Sequence, residues 1–184
     1  MDSILTAAAK KMRDAIATKR DAAGFELTAF EIDYDYDGRD AEGGLEEGTQ
    51  YVTVVVPQDY ISTGRVTRTE FGYVAAFHID IREKLGLGQQ EGSSGLAEKQ
   101  QIDRVIRLGE QLHAMWEALE QEGTWLTLAD HGLVGEWIDP ERSVEGVTPR
   151  NRSAHVIAYS EPQLSEDRLI LGVCREVFLF TEGT

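Results

Sequence analysis

Cysteine and basic residues are scarce in this 184-residue chain, and each scarcity closes off a class of function. The single cysteine, Cys174, excludes an internal disulfide, and its place in an apolar run marks it as a buried core thiol rather than a nucleophile. Eighteen Lys and Arg stand against thirty-three Asp and Glu, a formal charge of −15. That balance repels nucleic acid and anionic membrane alike, because phosphate binding depends on clustered cations. No uncharged apolar run approaches the roughly twenty residues of a membrane span, and no signal peptide is visible. The chain is therefore expected in a cytoplasm-like compartment or in a particle assembled there, without a membrane partner.

Reactive motifs are missing as well. There is no nucleophile elbow, no HExxH, no Walker A sequence and no CxxC. The histidines His78, His113, His131 and His155 are scattered, none in a two-ligand spacing such as HxxxH. Asp33, Asp35, Asp37 and Gly38 reproduce the first half of a calcium loop, but the closing glutamate would fall at Gly44, so the row reads as the wet face of a strand. Gly86, Gly88, Gly92 and Gly95 lack the terminal Gly-Lys-Ser/Thr of a phosphate loop. His78 and Asp80 share one side of a strand simply because residues two apart do. No catalytic set, cofactor or metal is expected, and the chain reads as a building block rather than an enzyme.

What is present is organised around residues 65–121: a long strand, a glycine-rich break and a long helix. Ile102, Val105, Leu108, Leu112, Met115 and Leu119, widened by Ile106 and Trp116, recur at helical spacing. The opposite side carries Glu98, Lys99, Asp103, Arg107, Glu110, Glu117 and Glu120. In the preceding strand Phe71, Tyr73, Ala75, Phe77, Ile79 and Ile81 suit a core, while Arg68, Glu70, His78, Asp80 and Arg82 stand on the other side. Read as one piece over residues 66–82, this strand is about 55 Å long. It must then bend, as at Gly72, or project from a globule of about 40 Å.

Ahead of that unit, Ser3 suits the cap of a helix bearing Ile4, Leu5, Ala8, Met12 and Ile16, which would lie at the edge of the core or against another subunit. Residues 25–36 alternate as a strand with an acidic side, a polar loop follows over 38–48, and residues 50–56 read as a central strand covered on both faces. Residues 58–64 read as a connection. Beyond the long helix, residues 125–128 and 133–138 form short strands around the turn Asp130-His131-Gly132, and residues 152–160 and 167–181 suit a hairpin at the sheet edge or a second small sheet. With 41% hydrophobic residues the whole chain, 1–184, reads as one domain able to bury about 70% of its unfolded surface. The expected class is α+β, a mixed or antiparallel β-sheet packed against the long central helix and the N-terminal helix.

This order of elements resembles the tail terminator and head-to-tail joining (neck) proteins of long-tailed bacteriophages. The resemblance runs through the strand Tyr51-Val-Thr-Val-Val-Val-Pro57, the strand Phe71 to Ile81, the helix opening Ile102-Asp-Arg-Val-Ile-Arg-Leu108 and the terminal Val177-Phe-Leu-Phe180. It implies a structural virion protein, assembled in the host cytoplasm, whose copies close into a ring of about six. Such a ring caps the tail tube and joins it to the head connector, and DNA passes through without specific binding. Glu31, Asp33, Asp35, Glu42, Glu46 and Glu47 are then candidates to line the channel, and Arg65, Arg68, Glu70, Arg82 and Glu83 candidates for subunit contacts. Alternatives are another phage neck or tail protein, or a small-ligand-binding α+β domain with Trp116, Trp125, Trp137 and Tyr73 as lining. A hydrolase using His78 or His131 is the third.

Overall fold

Ser3 opens the first helix by accepting the main-chain N–H of Thr6 on its Oγ at 3.2 Å, which satisfies one of the free donors of the first turn. The computed structural model describes residues 1–21, 30–36, 49–58, 61–65, 71–84, 94–137, 156–159 and 169–182. Their order is α1 (Ile4–Asp21), β1 (Phe30–Asp35), β2 (Gln50–Val55), β3 (Ile61–Arg65), β4 (Phe71–Lys84) and α2 (Ser94–Glu122), then β5 (Leu126–Leu128), β6 (Leu133–Trp137), β7 (Val156–Tyr159) and β8 (Leu169–Glu182). A 3-10 turn, Ala129–His131, joins β5 to β6, and Gly132 closes it in the left-handed conformation at φ 62°. Among the described residues no helix is long and apolar enough to cross a membrane.

The eight described strands belong to one sheet, whose path is β1-β2-β4-β8-β6-β5 with β3 beside β4 and β7 beside β8. β1 and β2 run parallel and the other pairs antiparallel, so the sheet is mixed and the class α+β, as expected. Its spine is the pairing of β4 with β8, continuous in register from Gly72↔Thr181 to Lys84↔Leu169. Both strands have 14 residues, about 45 Å at the usual rise, and the 29 residues of α2 span about 43 Å. The long helix and the spine it covers are therefore of nearly equal length.

One core lies between the helices and the sheet. It joins Val105, Leu108, Leu112, Met115, Trp116 and Leu119 of α2 to Ala75, Phe77, Ile79 and Ile81 of β4 and to Cys174, Phe178 and Phe180 of β8. The two periodicities read from the sequence thus meet face to face. A small second cluster, Val74, Val177 and Leu179 with Ala76, occupies the other side of the spine. Helix α1 buries Ala8, Ala9, Met12 and Ile16 completely. It packs on β1 and β2 and also on β5, at opposite ends of the strand path, so the sheet curls and α1 bridges its two edges.

Three expectations are corrected. The chain does not run straight from Arg65 into the long strand: β3 ends at Arg65, and β4 starts at Phe71 antiparallel to it, with Arg65 paired to Phe71. Four strands rather than three therefore precede α2. Residues 50–55 are not the doubly covered centre, since Gln50, Val52 and Val54 are buried while Tyr51, Thr53 and Val55 are only half-buried. The central strands are β4 and β8, and β8 lies between β4 and β6 rather than at an edge. Its unbroken run of buried residues from Glu176 to Phe180 shows the reason, for consecutive apolar residues are the mark of a strand covered on both sides.

Candidate functional site

Strand register lays out the polar set on the sheet face away from the helices. Along β1, β2 and β4 the rows are Glu31–Tyr51–Arg82, Asp33–Thr53–Asp80 and Asp35–Val55–His78. Because side chains alternate along each strand, these nine share one face while their neighbours enter the core. The acid row stands at the rim: Glu31 and Asp33 are exposed, the Asp33 side chain 77% so, and Asp35 is half-buried. Two of these carboxylates bond their own backbone. Asp33 Oδ1 accepts the N–H of Tyr34 at 2.8 Å, and Asp35 Oδ1 accepts that of Tyr36 at 2.6 Å. Arg13 of α1 lies 3.7 Å from Asp33 and over the ring of Tyr34.

Two strands further in, the surroundings are drier. The side chains of Arg82 and Asp80 are 10% and 15% exposed, and their ion pair is long, 3.5 Å from Nη2 to Oδ2. Burial raises the Asp80 carboxyl above its ordinary value, and the attraction of Arg82, then His78, offsets this only in part. His78 itself is exposed. The carboxylate imagined as its partner is engaged by Arg82 instead.

Of the subunit-contact candidates, Arg65 ends β3, and Arg68 and Glu70 lie outside the described residues, as do Glu42, Glu46 and Glu47 of the channel set. Arg82 is nearly buried and Glu83 wholly so. Glu83 does not overhang: Gln50 Nε2 donates to its Oε2 at 2.9 Å, and Arg104 of α2 binds its Oε1. The alternation that sends Phe77, Ile79 and Ile81 inward sends Glu83 inward too, and its charge is met within the chain.

Glu176 was not singled out in the sequence, yet it is 1% exposed and belongs to the core-facing register of β8 with Cys174, Phe178 and Phe180. Trp137 Nε1 donates to it at 2.8 Å, and His113 Nδ1 stands 4.0 Å away. Glu120, expected on the wet side of α2, accepts the main-chain N–H of Trp137 at 2.7 Å and the indole N–H of Trp125 at 3.3 Å. Trp116 stacks on Trp125, and Phe178 meets both edge-on. Cys174 is core, its thiol pushed up to about 12 chiefly by burial and then by Glu176 and Asp80. Asp33 and Asp35 are strand residues, and Asp37 and Gly38 lie outside the described residues. Among the described residues no three His, Cys, Asp or Glu side chains are grouped to hold a metal. No protein-family model matches the chain, and no curated protein matches it.

Proposed function

We propose that this chain is a structural subunit of a long-tailed phage particle, whose copies close into a ring of about six that caps the tail tube and joins it to the head connector. The observation that carries the proposal is the sidedness of the sheet. Two helices take one face, and Glu31, Asp33 and Asp35 stand on an edge strand with their side chains on the other. An acidic rim suits the lumen of a ring through which DNA passes, because a surface that bound phosphate would hold the genome back. The formal charge of −15 acts in the same sense. The partners are other copies of the chain, the tube protein below and the connector above, and the place of action is the neck of the virion.

Native mass measurement of the purified chain over a range of concentrations tests the proposal. A single closed species near six times the 20.5 kDa of one chain is the expected result. A monomer at every concentration, or an open series of ever larger species, would overturn it.

A further inference from the structure

Among the described residues β1 ends one side of the sheet path, and several of its outward main-chain groups are occupied from within the chain. The C=O of Asp35 accepts the N–H of Val56 at 2.7 Å, which shows that the odd-numbered residues of β1 turn their main-chain groups toward β2. The even-numbered residues must turn theirs outward, since these groups alternate along a strand. On that outward side Asp33 holds the N–H of Tyr34 and Asp35 holds the N–H of Tyr36. The C=O of Phe30 accepts Nη1 of Arg20 at 3.0 Å, with the guanidinium seated over the Phe30 ring.

A strand added to this edge needs the same donors and acceptors. The most available such strand is β1 of a second copy, because like edges pair antiparallel about a two-fold axis. We propose that β1 is a guarded docking edge: Asp33, Asp35 and Arg20 hold three of the main-chain groups that a second copy's β1 would need, and so confine self-association to other surfaces. The inference stands on β1 alone and is independent of the ring.

Two variants of the full chain separate the hydrogen bonds from the charge. D33A/D35A removes both acceptors, whereas D33N/D35N removes the same two charges and keeps an acceptor oxygen at each position. The readouts are main-chain amide exchange at Tyr34 and Tyr36 and native mass at matched concentration. The Ala pair is expected to exchange about fivefold faster at both amides and to form species heavier than the wild type. The Asn pair is expected to match the wild type in both. Equal self-association of the Asn pair would assign the block to charge and overturn the proposal. So would an Ala pair with a native circular dichroism spectrum and unchanged exchange and mass. Should the Ala pair fail to fold, D33A and D35A singly are read out in the same way, each at its own amide.

Discussion

Trp137 and Glu176 are joined by a 2.8 Å hydrogen bond, from the indole Nε1 to Oε2, inside the core. A carboxylate 1% exposed among aromatic rings is stable only while donors surround it, and the indole is one of them. Trp137→Phe keeps most of the ring and deletes that donor. The expected cost is roughly 1.5–3 kcal/mol, read from urea denaturation with an unchanged m-value. The same substitution placed in Glu176→Gln should cost less, because a neutral amide loses less than a buried charge.

Gly135 of β6 lies where the sheet leaves no room for a side chain. A Cβ there would come within 2.5 Å of Leu126 Cδ2 and 2.7 Å of Phe180 Cε1, both on fully buried side chains. Gly135→Ala should therefore destabilise by about 1–3 kcal/mol through overpacking. Paired with Leu126→Ala, the two costs should sum to less than their separate values, since the smaller side chain opens the space the new methyl needs.

Asp80 gives stability a specific dependence on pH. Burial holds its folded-state pKa above the ordinary 3.8, so between the two values the folded chain binds more protons than the unfolded one, and stability falls as pH rises through that window. Asp80→Asn removes this contribution while leaving Arg82 an acceptor. The stability of the variant relative to the wild type should therefore climb as pH is raised from below 3.8 through that window, and then level off. A flat difference across the series would mean that Arg82 fully compensates the burial.

Much of this architecture could be read from periodicity. The buried face of α2 is the one its spacing marks, and the inward residues of β4 are those its alternation marks, because both patterns are set by local geometry. Adjacency was harder to read. Tyr51 to Val55 and Val177 to Phe180 are both apolar runs, and only the long-range pairing of β4 with β8 makes the second the central one. The separate strand β3 has little signal in the sequence, because Ile61, Ser62, Thr63 and Gly64 offer little alternation. Glu83 and Glu176 are hard to read for a different reason. A carboxylate suggests solvent, yet each continues an inward alternation in which Gln50, Arg104 or Trp137 supplies a partner. The caps on β1 have no sequence signal beyond the acid row itself, since a carboxylate that bonds its own strand looks the same as one that faces water.

Electron cryomicroscopy of the purified chain, at concentrations where native mass reports assembly, tests the self-assembling subunit most directly. The expected images are closed rings of about six copies with a central channel, and Glu31, Asp33 and Asp35 on its wall. Isolated globules, or rings that carry this acidic strand on their outer rim, would contradict it.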